Sequence, residues 1–166
     1  MGSNSYATTI EVAQSPKNVF QHINDVAKWW NNNLEGSSTK LNDEFIVSHD
    51  GLHYSKQKLV EFIPDRKIVW LVTDSLLSWL ERDKHEWTGT KMIFEITPSG
   101  DKTTLHFTHE GIVPEVECYN LCVQGWDLMI KGRLFRFIEK NIPFWEGPEA
   151  AREMEEVQAK LEKLKI

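Results

Sequence analysis

The chain of 166 residues contains only two cysteines, Cys118 and Cys122, and no Asn-x-Ser/Thr acceptor. A disulfide-stapled secreted fold is thereby excluded, and a reducing cytoplasm is the expected setting. Residues 1–6 offer no basic stretch and no apolar run, so neither a signal peptide nor a membrane anchor is expected. Gly2 does not meet the myristoylation pattern, because Tyr6 stands where Ser or Thr is required. Cations are also scarce. The 19 Lys and Arg face 25 Asp and Glu, a formal net charge of -6, and no dense basic stripe interrupts the acidic field. Such a field repels phosphate backbones, which removes nucleic acid from the expected partners. Missing too are a nucleophile motif, a Gly-rich phosphate loop and any His/Asp/Glu set with metal-ligand spacing, so no cofactor and no metal are expected. Catalysis that works only by shaping and desolvating a substrate leaves little trace in sequence and stays open.

What the chain has in quantity is large rings. Seven Trp and eight Phe exceed what a minimal core of this length needs, which suggests that some line a pocket or an interface. Residues 6–12 alternate Tyr6, Thr8, Ile10 and Val12 against polar neighbours, the period of a half-buried strand. Ser15-Pro16 reads as an N-cap with proline in the first turn, and Val19, Phe20 and Ile23 give a short helix its apolar face. A second short helical stretch over 26–30 ends at the polar run Asn31-Asn32-Asn33. Strands follow over 45–48, 53–62 and 67–74, divided by the turn formers Asp50-Gly51 and Pro64-Asp65. Residues 90–97 and 103–109 make a hairpin about Pro98-Ser99-Gly100-Asp101, with Met92, Phe94 and Ile96 on one face and Leu105, Phe107 and His109 on one face of the partner.

Over residues 114–140 the period changes to that of a helix, with Tyr119, Val123, Trp126, Ile130, Leu134 and Phe137 in one stripe. Gly125 and Gly132 each cost such a helix about 1 kcal/mol relative to Ala, which predicts close approach by a strand or a ligand. Asn141-Ile142-Pro143 stops the helix. Residues 149–164 then space Met154, Val157, Leu161 and Leu164 as a narrow seam, too short for an independent coiled coil, that packs on its own domain or on a second copy. The expected division is a domain over 5–142 and a linker with an amphipathic helix over 143–166.

A long helix laid across a curved antiparallel sheet leaves a wedge, and such wedges take small apolar ligands. By position on the helix or on the inward face of the hairpin, Trp70, Met92, Phe94, His109, Tyr119, Trp126 and Met129 are the candidate lining residues, with core packing as the competing reading of each. His109 either orients a polar head group or is bonded to backbone; Glu110 points to the opposite face, so the two are no acid/base pair. Trp126 offers one directional donor in an apolar wall. Trp29-Trp30 read as a gate or a partner anchor at the pocket mouth. His53, His85 and His106 read as solvated. Cys118 and Cys122, one turn apart, read as small core hydrophobes rather than a metal pair.

The element order of strand, two short helices, strands and long helix resembles the helix-grip fold of the START-like (SRPBCC) superfamily: α+β, with a curved six- or seven-stranded antiparallel sheet wrapped around the long helix. Trp87-Thr-Gly-Thr90, Phe107-Thr-His-Glu-Gly111, Val113-Pro-Glu-Val-Glu-Cys-Tyr119, Cys122 and Gly125-Trp126 are similar to the signature of the branch related to the activator of the Hsp90 ATPase. Similar proteins usually end the helix with Ser-Leu and a Thr-Gly-Lys-Gly turn; this chain has Arg133-Leu134 and Glu139-Lys-Asn-Ile-Pro143 instead, followed by the extra helix. The resemblance implies binding of a small, mostly apolar molecule between helix and sheet. Its alternatives are an Hsp90-type chaperone as partner, engaged through exposed Trp residues or the last helix, and a cyclase-like enzyme. A homodimer through the last helix is a further expectation.

Overall fold

The alternating segments become seven antiparallel strands. They are β1 (Tyr6–Val12), β2 (Leu34–Gly36), β3 (Glu44–His49), β4 (His53–Ile63), β5 (Lys67–Leu77), β6 (Lys91–Ser99) and β7 (Lys102–Glu110). The structure, a computed structural model, describes residues 4–164. The strands lie in the order β1-β7-β6-β5-β4-β3-β2, so the first strand closes one edge beside the last, with Tyr6 opposite His109 and Val12 opposite Thr103. The pairing of β4 with β5 slips at Lys56/Gln57 and again between Leu59 and Glu61. Bulges of this kind bend the strand and raise its twist, and here they help curl the long central pair around the helix.

β2 has no counterpart in the sequence reading. Its three residues are too few for alternation to register, and it pairs with Phe45, Ile46 and Val47. Gly36 is obligatory there: its φ is +100°, and a Cβ would stand 2.3 Å from the Glu44 carbonyl oxygen. Between β1 and β2 run α1 (Pro16–Asn24), capped by Ser15 Oγ accepting from the Asn18 N–H at 3.1 Å, and a 3-10 turn (Val26–Lys28).

The long helix spans α2 (Tyr119–Trp126), a π-helical segment (Asp127–Leu134) and α3 (Phe135–Lys140). It starts five residues later than the sequence pattern implies, because residues before it serve the loop after β5. The Glu117 carboxylate accepts the backbone N–H groups of Glu81 and Arg82, both at 2.9 Å, and Glu86 Oε1 accepts that of Cys118 at 2.8 Å. The last of these supplies one of the acceptors that a helix start lacks. Cys122, Trp126, Ile130, Leu134, Phe137 and Ile138 are buried in the core with the sheet, and Arg133 is buried outside it, against Trp30, Phe144 and Glu153. Helix α4 (Ala150–Leu164) follows. The side chains of its expected seam, Met154, Val157, Leu161 and Leu164, lie outside the described residues.

Gly125 departs from expectation. A Cβ there would meet nothing within 4 Å, so no strand or neighbouring side chain demands the glycine. Gly132 is approached, with Glu153 Oε1 of α4 3.4 Å from its hypothetical Cβ.

Candidate functional site

Rings fill the middle of the wedge between helix and sheet. Trp30 stacks on Trp70 at 5.9 Å with 3° between planes, and Trp29 stacks on Trp70 at 6.2 Å. Phe94 meets Trp70 at 4.7 Å and Phe107 at 4.9 Å, and Phe107 meets Trp126 at 4.6 Å. Trp29, Trp70, Met92, Phe94 and Phe107 are wholly buried. Each such side chain contributes about 1.5–3 kcal/mol by burial, so these rings act first as core. Trp29 and Trp30 are therefore no exposed anchor, and Trp29, wholly buried, donates its indole N–H to the Ile23 carbonyl at 3.1 Å.

His109 sits inside this core with both ring nitrogens engaged. Trp126 donates its indole N–H to Nδ1 at 2.9 Å, which leaves the proton on Nε2, 2.8 Å from Thr90 Oγ1. That hydroxyl in turn reaches the Trp87 carbonyl at 2.6 Å. The relay ends on that carbonyl and ties β7, the Trp87 loop and the helix together. Burial, with a smaller contribution from His53, pushes the His109 pKa down to about 3, so the imidazole is neutral at ordinary pH. The two candidates singled out for polar chemistry, His109 and Trp126, thus spend that chemistry on each other.

Open space lies at one end of the wedge. A cavity of about 220 Å³ is lined by Trp30, Asn31 and Asn32 after the 3-10 turn, Val47 and His49 of β3, His53 of β4, Met129 and Arg133 of the π segment, and Phe144. Of the seven sequence candidates Met129 alone is in this lining. Trp126 stands one ring behind it, 5.3 Å from Trp30; Trp70, Met92 and Phe94 lie deeper, and Tyr119 is half-buried nearer the helix start. Phe144 is held in place by its backbone N–H on the Lys28 carbonyl at 2.9 Å.

His53 belongs to this end, not to solvent. Its ring packs edge-on to Trp87 at 4.9 Å and to Trp30 at 6.0 Å, and Nε2 is 2.8 Å from Ser55 Oγ. Burial, then the neighbouring His49, pushes its pKa down to about 4. Arg133 is the other residue that the sequence reading did not select. Only 4% exposed, it donates Nη1 to the Trp30 carbonyl at 3.1 Å and lies 4.3 Å over the Phe144 ring. Its Nε is 3.5 Å from Glu153 Oε2, yet makes no hydrogen bond. Arg136 takes Glu153 in a bidentate pair at 2.6 and 2.9 Å. Burial lowers the Arg133 pKa and Glu153 opposes that shift, so the guanidinium keeps its charge. The signal was present in the sequence as a cation inside the apolar stripe of the helix.

Cys118 and Cys122 are buried free thiols, and Cys122 Sγ accepts the Trp87 indole N–H at 3.4 Å. Among the described residues no group of three or more His, Cys, Asp or Glu side chains is placed to hold a metal ion, and no helix is long and apolar enough to cross a membrane.

No curated protein matches the sequence. Solved structures do match in fold. The Aha1 dimer from Colwellia psychrerythraea, a solution structure, superposes with a TM-score of 0.67 at 19% identity, covering 82% of this chain and 96% of that one. CalU16 from Micromonospora echinospora gives 0.57 at 16% identity, over 90% and 81% of the two chains. DynU16, a protein in the dynemicin biosynthetic locus, gives 0.61 at 16% identity, over 86% of this chain and 49% of that one. These likenesses show the fold. The family described as activator of Hsp90 ATPase homolog 1-like protein matches residues 15–138, from the cap of α1 to the buried Ile138 of α3. With that match covering most of its length, and with the helix-grip sheet and helix it requires, the chain belongs to the activator of Hsp90 ATPase homolog 1-like family.

Proposed function

We propose that the protein binds a small, mostly apolar molecule in the cavity at the open end of the wedge. One observation carries this reading: the rings that close the middle of the wedge stop at Trp30, and about 220 Å³ remains between Trp30, Val47, Met129 and Phe144. Apolar walls with a few convergent polar groups are what ligand pockets present. Trp126 and Trp70 shape the site from behind by packing on Trp30, Phe94 and Met92 lie behind Trp70, and the bond from Trp126 to His109 holds the helix that carries Met129. Titration calorimetry of the full chain with uncharged ring-sized molecules, indole and naphthalene-2-methanol, tests it. Saturable binding at one site that is lost in a cavity-filling Val47→Trp variant is the expected result. Absence of saturable binding, or binding that Val47→Trp leaves unchanged, overturns the reading.

A protein-interaction role has one observation of its own in its favour. Trp145 is 44% exposed beside the pocket residue Phe144, while the other rings expected to reach a partner are buried. Binding to an Hsp90-type chaperone that is lost in Trp145→Ser supports that role, and no binding by the intact chain removes it. Self-association through the amphipathic α4 is tested by the solution mass with and without residues 146–166: a dimer that becomes a monomer on truncation supports it, and an unchanged mass removes it.

A further inference from the structure

We propose that residues 141–149 form a strap over the cavity, with the Phe144 ring as its door and the ion pairs between the long helix and α4 as its latch. What passes the door rests on the apolar-ligand reading; that the strap opens rests on its own contacts.

The lining of the cavity has two sources. All of it but Phe144 belongs to the sheet, to the long helix or to the stretch between α1 and β2, and Phe144 alone comes from beyond the helix. Of these residues only Asn32 is exposed, so the cavity meets solvent on its side. The strap is tied to the same stretch, because the Phe144 N–H donates to the carbonyl of Lys28, in the turn that leads to Asn31 and Asn32.

Phe144 is buried, yet it stands outside the connected apolar core. It is held by that backbone bond, by the Arg133 guanidinium 4.3 Å over its ring and by the neighbouring Trp145 ring at 5.2 Å. Arg133 is fixed to the body of the domain through Nη1 on the Trp30 carbonyl, and it meets both ends of the anchorage: the Phe144 ring and, at 3.5 Å, Glu153 Oε2. Glu149 and Glu153, four residues apart at the start of α4, also meet Arg136 at 3.4 and 2.6 Å. The strap therefore leaves the long helix after Lys140 and is pinned back to it within two turns of that point. Asn141 at φ +56° and Gly147 at φ +90° bound the segment that carries the ring, and hinge motions are absorbed at a few loop positions of this kind. Opening breaks polar contacts and exposes little apolar surface beyond one ring, whereas opening the sheet exposes the whole ring cluster. Segments with few buried apolar contacts open first.

Hydrogen exchange of the full chain, read by NMR in low urea, tests the strap without any ligand. The Phe144 amide is expected to exchange ahead of the β6 and β7 amides and without dependence on urea, as a local opening does. The variant Arg133→Met/Glu153→Gln removes the latch and leaves Arg136 paired with Glu149. In it the Phe144 amide is expected to exchange about tenfold faster relative to the sheet, the scale of one lost desolvated cation–π contact. The association rate of naphthalene-2-methanol, followed by tryptophan fluorescence in stopped flow, is expected to rise by a similar factor. A Phe144 amide that exchanges only together with the sheet overturns the strap, and so does a variant that changes neither rate. Faster exchange with an unchanged association rate overturns Phe144 as the door. Should the variant not fold, exchange in the wild type decides. If naphthalene-2-methanol does not bind, the apolar-ligand reading falls while exchange still decides the strap.

Discussion

Acid should unfold this protein earlier than its carboxylates alone would dictate, and His109 is the reason. The imidazole is wholly buried, accepts from Trp126 on one side and reaches Thr90 on the other, and has no position for a second proton. Its pKa falls from the ordinary 6.5 to about 3 in the folded state. The folded state thus binds fewer protons than the unfolded chain between those values. Stability is fully present above about pH 6.5 and declines as pH falls toward 3, at about 1.4 kcal/mol per pH unit. Between pH 6.5 and about pH 4.5 the loss from this one group is on the order of 3 kcal/mol, a large share of a domain's typical 5–15 kcal/mol. The carboxylates held low, Asp43 by Ser37 and the Thr39 N–H and Glu117 by the Arg82 and Glu81 N–H groups, lose their contribution at lower pH. The variant that isolates the effect is His109→Gln, whose amide can accept from Trp126 and donate to Thr90 without titrating. Urea unfolding followed by tryptophan fluorescence across this window should show the variant losing about 3 kcal/mol less than the wild type. Parallel pH dependences in the two proteins would refute the buried neutral relay.

Other consequences are separable from that one. Glu153→Ala should destabilise by about 3–5 kcal/mol, because it leaves the buried Arg133 and its neighbour Arg136 without their shared carboxylate; a loss under 1 kcal/mol in urea titration would mean that the cluster is solvated. Gly125→Ala should stabilise by about 0.5–1 kcal/mol, since a helical position with free space gains from a methyl group, and a lower melting temperature would contradict that geometry. Gly36→Ala should lower the melting temperature sharply, because a positive φ and the Glu44 carbonyl both exclude the side chain.

The sheet and helix were legible in the sequence because their patterns are long. Tyr6 to Val12, the Met92-Phe94-Ile96 and Leu105-Phe107-His109 faces, and the helical stripe through Trp126 and Leu134 all alternate with the period of the structure they adopt. β2 was illegible because pairing of three residues with β3 creates it. The site was read only in part, and the cause is geometric. Periodicity reports which side of an element faces inward, and it ranked Trp70, Phe94 and Trp126 correctly as inward. Whether an inward ring meets another ring or open space depends on the length and tilt of neighbouring elements. Here the 3-10 turn delivers Trp29 and Trp30 into the wedge and moves the remaining space toward Val47 and Phe144. His53 looked solvated because the rings that cover it come from distant Trp30 and Trp87. Arg133 could have been found, as a cation at an apolar position of the helix.

The most direct measurement is a crystal of the protein pressurised with xenon, an atom that enters dry apolar cavities without needing a polar head. Xenon is expected among Trp30, Val47, Met129 and Phe144, with none between Trp70 and Trp126 where the rings close on one another. A site in the middle of the wedge, or no site at the Phe144 end, would contradict the placement of the pocket.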